Sequence, residues 1–259
     1  MRLVLIGWGA VGSEVARLLL ARRAPVQIVA VGVRDRGRVL PFPLITDPLE
    51  LAAHSPDLVV EAAGRDAVMP WGQAALAAGA DFAPASTSAF AEAGALDRLS
   101  AFARSHKRQL LIAPGALGGI DALSAAARLP LADVTHEITK PPSAWVGTAA
   151  ETLCDLHGLT APHCFFAGSA REAAQRFPQN ANAAMITAIS GLGPDATNLR
   201  MIADPSATAN RHRIIALGAF GRMEITLDNL PLVGNPKSSA LTALSLVRLI
   251  ENRTNALVI

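Results

Sequence analysis

The sequence predicts an α/β protein: a doubly wound parallel sheet joined to a smaller α+β domain with a mostly antiparallel sheet. Three observations carry that expectation. Apolar runs of strand length alternate with helical patterns from residue 2 to residue 115, as parallel βαβ units require. A glycine-rich turn lies between the first such strand and the first helix. Beyond about residue 120 the rhythm changes to polar–apolar alternation, the mark of strands with one wet face.

The first strand is "RLVLI", residues 2–6, followed by "GWGAVG" and then by "SEVARLLLARR", whose Val15, Leu18 and Leu19 recur at helical spacing. A G-x-G-x-x-G turn in this context binds a dinucleotide in folds of the Rossmann type. Gly7 permits the tight turn, Gly9 lets the pyrophosphate approach the backbone, and Gly12 lets helix and strand pack closely. The start of the helix, with Ala10 and Val11, offers unpaired N–H groups to the phosphates. "VQIVAVGV" (26–33), "DLVVEAAG" (57–64), "DFAPAS" (81–86) and "QLLIAPG" (109–115) read as further buried strands, with helices such as "VMPWGQAALAAG" between them. The third of these strands ends in small residues, and Ala63 is an expected cofactor contact.

The end of the second strand sets cofactor choice, since an acid there binds the ribose 2′-hydroxyl of NAD and an arginine accommodates the 2′-phosphate of NADP. The chain carries "RDR" at this point. Arg34 and Asp35 supply both signals, so use of both NAD and NADP is expected; Arg36 reads as a solvated turn residue.

In the second half, "DVTHEITK" (133–140), "PHCFFAG", "NLRMIAD", "RHRIIALGAF" and "RMEITLDN" read as strands. "SAREAAQRF" opens with a capping box, Ser169 and Glu172, and "NANAAMITAISGLG" is a second helix. "PKSSALTALSLVRLIENR" (236–253) reads as a final amphipathic helix. The expected organisation is a dinucleotide-binding domain over residues 1–120, completed by residues 236–259, and a catalytic α+β domain over 121–235. The substrate cleft is expected where the domains meet, beside the carboxyl ends of the parallel strands.

Composition excludes several function classes. With 259 residues, 51% of them hydrophobic, the chain can bury a sizeable core as one large or two ordinary domains. A net charge of +2 and the absence of a basic face beyond short clusters such as Arg34–Arg38 argue against nucleic acid. Cys154 and Cys164 make neither a disulfide scaffold nor a metal motif, and no His/Cys/Asp/Glu cluster has metal spacing. The glycines of the first turn, followed by Glu14 and Arg17, break up the apolar start that a signal peptide needs. No apolar run reaches the roughly 18 residues of a membrane helix. The expectation is a cytoplasmic protein. Neither Ser86 nor Ser88 lies in a G-x-S-x-G nucleophile elbow.

The stretch "NRHRIIALGAFGRMEITLDN", residues 210–229, places His212 between Arg211 and Arg213 at the start of a hairpin. By composition alone it is a polar residue on a wet strand or a working base. Period-2 alternation puts both arginines on the face opposite His212. Their charge is expected to hold its pKa down and keep the ring neutral.

Several blocks together give the chain a family resemblance. "GWGAVG" at the start, "APGALGGIDAL" (113–123), "TKPPSAW" (139–145), "GSAREAAQRFPQNANAA" (168–184), "IADPSATANRHRI" (202–214) and "NPKSSALTALS" (235–245) occur in order from end to end. In these blocks the chain resembles the L-aspartate dehydrogenases. The segment "ASTSAF" (85–90) departs mildly, with less glycine than the family pattern.

The resemblance implies reversible, NAD- or NADP-dependent oxidation of L-aspartate to iminosuccinate, with hydrolysis to oxaloacetate and ammonia. The same site would serve reductive amination or supply of iminosuccinate to NAD biosynthesis. It implies a catalytic role for His212 as acid and base in the imine step. It also implies dinucleotide contacts from Ala116 and Asn182, while Asn180 is expected to cap its helix. A dicarboxylate needs cations, and Lys140, one of three lysines in the chain, is the best candidate at the end of its strand. His136 is expected to be structural or solvated. The antiparallel sheet of the second domain suggests a homodimer. Alternatives of similar build are a homoserine dehydrogenase, a dihydrodipicolinate reductase or a dinucleotide sensor without turnover; the 202–214 block with its histidine separates them.

Overall fold

The structure, a computed structural model, describes residues 1–37, 39–232 and 235–259. They divide into two compact units, residues 1–113 with 242–259, and residues 114–241. Arg38, the end of the short basic cluster, lies outside the described residues.

In the first unit, β1 (Arg2–Ile6) leads into α1 (Ala10–Ala21), followed by β2 (Gln27–Gly32), β3 (Leu44–Ile45), α2 (Leu51–His54), β4 (Leu58–Glu61), α3 (Arg65–Ala77), β5 (Asp81–Pro84) and α4 (Ala95–Ser105). The strands form one parallel sheet in the order β3-β2-β1-β4-β5. Its central strands are near-continuous apolar runs because helices cover them. Leu3, Leu5, Leu58 and Val60 pack with Val15, Ala16 and Leu19 of α1 and with Leu246, Val247 and Ile250 from the C-terminal stretch. The parallel, doubly wound sheet is the fold the sequence predicts.

One expected strand is almost lost. Residues 109–115 touch the sheet at a single parallel bridge, Phe82 with Leu110. Phe82 N–H donates to the Gln109 carbonyl at 3.0 Å, and Leu111 N–H donates to the Phe82 carbonyl at 2.8 Å. The next donor on β5 would be residue 84, and Pro84 has no N–H, so the ladder stops there.

The second unit contains α5 (Ile120–Ala126), β6 (Leu131–Lys140), β7 (His163–Ser169), α6 (Ala170–Arg176), α7 (Ala181–Ser190), β8 (Asn198–Ala203), β9 (Asn210–Gly218) and β10 (Gly221–Asn229). The sheet order is β10-β9-β6-β8-β7, antiparallel except between β6 and β8. The box of Ser169 and Glu172 caps α6. Alanines 170, 173, 184 and 188 are fully buried in the core with Trp145, Phe165, Phe166, Phe177 and the β8 side chains Leu199 and Met201. On the opposite face Glu137 bridges Arg200 and Arg213, while Arg213 also pairs with Glu224 and Arg211 with Asp228. One face is therefore apolar and the other laced with ion pairs.

A short ladder, β11 (Pro231–Leu232) with β12 (Asn235–Ser239), precedes α8 (Ala240–Glu251). The helix expected from residue 236 begins later because the Ser239 hydroxyl accepts the Leu241 N–H at 3.1 Å, a first-turn cap that fixes the start. Among the described residues no helix is long and apolar enough to cross a membrane.

The turn after β1 depends on two glycines. Gly7 has φ +97°, and a Cβ at Gly12 would lie 2.1 Å from the Gly7 carbonyl oxygen. By contrast, a Cβ at Gly9 would meet nothing within 4 Å. Gly12→Ala should therefore lower unfolding stability by about 1–3 kcal/mol through forced separation of helix and turn, whereas Gly9→Ala should change it by less than about 0.5 kcal/mol. Urea denaturation of both variants checks the contrast; equal losses would contradict it.

Candidate active site

The carboxyl ends of β1, β2 and β4 open on a cavity of about 600 Å³ within the first unit. Gly7, Gly9, Arg34, Asp35 and Ala63 line it, together with Trp8, Thr46, Asp66 and Trp71. Ala10, Val11 and Gly12 stand behind this wall in the first turn of α1, where Gly12 is buried and Val11 packs on the core. The open side of Gly9 and the cavity at the carboxyl ends of parallel strands fit the pyrophosphate of a dinucleotide. The Asp35 carboxylate accepts the Gly37 N–H at 2.9 Å, which shapes the turn after β2. Arg36 is exposed and pairs with Glu50, as the turn reading expects, whereas Arg34 faces the cavity.

A residue without a sequence signal organises this wall. Glu61 ends β4 fully buried. One carboxylate oxygen accepts the N–H groups of Ala63 and Gly64 at 2.6 and 2.7 Å and the Ser86 hydroxyl at 2.9 Å; the other accepts the Ser86 N–H at 3.1 Å. Burial pushes its pKa up, and these four donors oppose the shift. The carboxylate thus ties the 62–64 loop to the segment 85–90, and the serine of that atypical segment supplies two of the donors.

In the second unit, the apolar face of β6 carries Val134, His136, Ile138 and Lys140 in alternation. His136 is completely buried, which corrects the solvated reading: it shares strand parity with Val134 and Ile138. His212 on β9 pairs in register with Ile138, which puts the two histidines on a diagonal. His136 Nε2 and His212 Nδ1 are 3.0 Å apart, and Thr187 Oγ1 of α7 is 3.0 Å from His136 Nδ1. His212 retains only 6% of its surface. Its other ring nitrogen, Nε2, has no partner among the described residues.

Lys140 lies beside this pair, 9% exposed. Its ammonium sits 5.1 Å from the centroid of the Trp145 ring and donates to Asn180 Oδ1. Asn180 was expected to cap α7; it stands at the cap position but makes no side-chain cap bond. A buried ammonium needs acceptors, and the amide oxygen is committed to it. No carboxylate among the described residues neutralises Lys140. Burial lowers its pKa to about 8.

Burial and, second, the charge of Lys140 lower the His212 pKa to about 3. The ring is neutral, but for a different reason than its sequence neighbours suggested. Arg211 and Arg213 do face away and are held by Asp228, Glu224 and Glu137. In the free site desolvation opposes the charged ring.

Ala116 and Asn182 are also in the second unit. The Ala116 carbonyl accepts Asn229 Nδ2 at 2.8 Å, and Asn182 is exposed in the first turn of α7. The glycines of the Ala116 block have a packing role: a Cβ at Gly118 or Gly119 would press on Leu227 or Ile225 of β10. Among the described residues no group of three or more His, Cys, Asp or Glu side chains is placed to hold a metal ion.

Comparison with known proteins adds to this geometry. Residues 121–253 match the family described as "Aspartate dehydrogenase, C-terminal", and residues 7–113 match "Homoserine dehydrogenase, NAD binding domain". An L-aspartate dehydrogenase of Brucella anthropi is 53% identical, covering 99% of this chain and 98% of its own. One from a Polaromonas strain is 42% identical over 100% of both chains. The crystal structure of an aspartate dehydrogenase from Thermotoga maritima, 24% identical, superposes with a TM-score of 0.84 over 100% of this chain and 99% of its own, a likeness of fold.

The Glu61 cradle makes a prediction. Glu61→Gln should lower unfolding stability by about 1–3 kcal/mol, because an amide turns an N–H toward donors that need an acceptor. Dinucleotide affinity should fall with it, since the 62–64 loop lines the cavity. Denaturation and cofactor titration measure both, and an unchanged melting profile would refute the account.

Proposed function

Because the chain belongs to the aspartate dehydrogenase family, we propose that it oxidises L-aspartate to iminosuccinate with NAD or NADP and hydrolyses the imine to oxaloacetate and ammonia, reversibly. The observation that carries this reading is a buried ammonium without a counter-ion among the described residues, Lys140, beside a buried neutral imidazole, His212. The second unit is the catalytic domain in this reading and the first is the dinucleotide domain.

The chain's own residues divide the work. Gly7, Gly9 and the N–H groups at the start of α1, with Ala10 and Val11, would hold the pyrophosphate, while Gly12 lets the helix pack on the turn; Ala63 lines the same wall, and Arg34 and Asp35 would meet the ribose. Ala116 and Asn182 are assigned to the dinucleotide by the resemblance. A dinucleotide held there would supply a nicotinamide as hydride acceptor for oxidation at the substrate α-carbon. Lys140 donates to a substrate carboxylate with the ammonium hydrogens that Asn180 leaves available. That carboxylate offsets the lysine charge, which removes one of the two causes depressing the His212 pKa and raises the ring's affinity for a proton. His212 Nε2 then takes a proton from water as the water oxygen bonds to the imine carbon. The imidazolium returns the proton to nitrogen, and the ring then takes the hydroxyl proton of the carbinolamine as its C=O bond forms, the C–N bond breaks and ammonia leaves. Substrate binding and base strength are thereby coupled.

The reading extends to a cytoplasmic homodimer, with β10 leaving an open edge on the second sheet, and to a product usable in NAD biosynthesis. Purified protein with a nicotinamide cofactor and a panel of amino acids tests the activity itself; turnover with homoserine but not aspartate would overturn it.

Three outcomes are expected. His212→Asn should reduce turnover about 10²–10⁴-fold with the dissociation constant of NAD unchanged; turnover within about threefold of wild type would reassign His212 to the strand. Steady-state kinetics should give activity with both NAD and NADP, with efficiencies within about two orders of magnitude, since one pocket contact is worth roughly 1–3 kcal/mol. Competitive inhibition by succinate should be strong while Lys140 is protonated and should weaken as pH rises through about 8, by about tenfold per pH unit. Lys140→Ala should bind succinate weakly at every pH, and a flat wild-type profile would remove Lys140 from the carboxylate site.

A further inference from the structure

The pair His136–His212 belongs to a longer chain of contacts. Thr187 Oγ1 touches both His136 Nδ1, at 3.0 Å, and the Ala183 carbonyl oxygen one turn earlier on α7, at 3.3 Å. Both histidines and Thr187 are buried, and Thr187 and His136 have no exposed surface at all. The hydroxyl has one proton, and a carbonyl oxygen can only accept. Every contact in the chain is a hydrogen bond when Thr187 donates to Ala183, as helical threonines commonly do. The hydroxyl then accepts from His136 Nδ1–H. His136 Nε2 must be bare and accepts from His212 Nδ1–H. The lone pair of His212 is left on Nε2. The reverse polarity would turn the Thr187 oxygen and the Ala183 carbonyl lone pairs toward each other.

We propose that His136 and Thr187 are positioning residues that hold His212 in the tautomer with its proton on Nδ1, so that Nε2 faces the reaction as a base. This rests on the reading of His212 as the acid–base group. An imidazole suits this place better than a carboxylate. It orients the ring by hydrogen bonding while adding no negative charge. A carboxylate at the same point would set a negative charge against His212, in the field that Lys140 also reaches. The neutral partner therefore selects the tautomer of His212 and adds no charge beside it.

The test is nitrogen NMR of the full-length protein labelled with ¹⁵N-histidine. Two-bond proton–nitrogen correlations distinguish the protonated from the bare nitrogen of each ring, and His136→Asn and His212→Asn assign the signals. The wild-type spectrum is expected to have both His136 and His212 protonated on Nδ1. In Thr187→Val, a near-isosteric change that spares the core, His212 should populate the Nε2–H form. His136→Asn should lower kcat about 10–100-fold, short of the loss in His212→Asn, with KM for aspartate and NAD affinity nearly unchanged. Thr187→Ser keeps the hydroxyl and should restore both the tautomer and the rate that Thr187→Val loses. A wild-type His212 protonated on Nε2, or a His212 tautomer unaltered by Thr187→Val, would overturn the proposal. His212→Asn that keeps full turnover would instead overturn the acid–base reading, while the wild-type spectrum still decides the hydrogen-bond chain.

Discussion

The site in the second unit depends on a charge left unbalanced in an apolar interior. An ammonium removed from water is costly unless paired. Lys140 has one amide acceptor and an aromatic face, and no anion among the described residues. Its depressed pKa expresses that cost. The same charge, with burial, keeps His212 unprotonated. An ammonium with no anion beside it among the described residues thus lies next to an imidazole kept neutral first by burial and then by that charge.

The first unit handles a buried charge in the opposite way. Glu61 also ends a central strand, and it too has lost its water. Four donors surround its carboxylate, three of them backbone N–H groups. Nothing is left over to attract a ligand, so its effect is to join two loops. The two residues differ in how the fold meets their charge: Glu61 is satisfied by four donors, and Lys140 has one amide acceptor and an aromatic face.

The sheet of the second unit makes such exposure to the apolar side tolerable. Its outer face is tied by Glu137, Arg200, Arg213 and Glu224, surface pairs of small individual worth. Their consequence is registry. The arginines flanking His212 are engaged on the outside, so the ring is turned inward, and the alanine-rich helices α6 and α7 can approach closely enough for Thr187 to reach His136.

By itself the sequence determined the parallel sheet, the glycine turn, the capping box of α6 and the inward face of His212, because each depends on near neighbours and on strand or helix periodicity. The family blocks carried His212 as a candidate, and Lys140 followed from the cations a dicarboxylate needs and the scarcity of lysines. Tertiary structure decided the rest. His136 finds His212 across a separation of 76 residues, although its parity with Val134 and Ile138 already marked it as inward-facing. Asn180 was drawn from its cap by a lysine 40 residues away. Glu61 and Ser86, 25 residues apart, had no motif to announce them. Even the strand at residues 109–115 was cut short by Pro84 on its neighbour. In each case a polar group or a missing donor had to be matched by atoms distant along the chain. Periodicity tells which way a side chain points, and only the assembled sheet brings its partner within 3 Å.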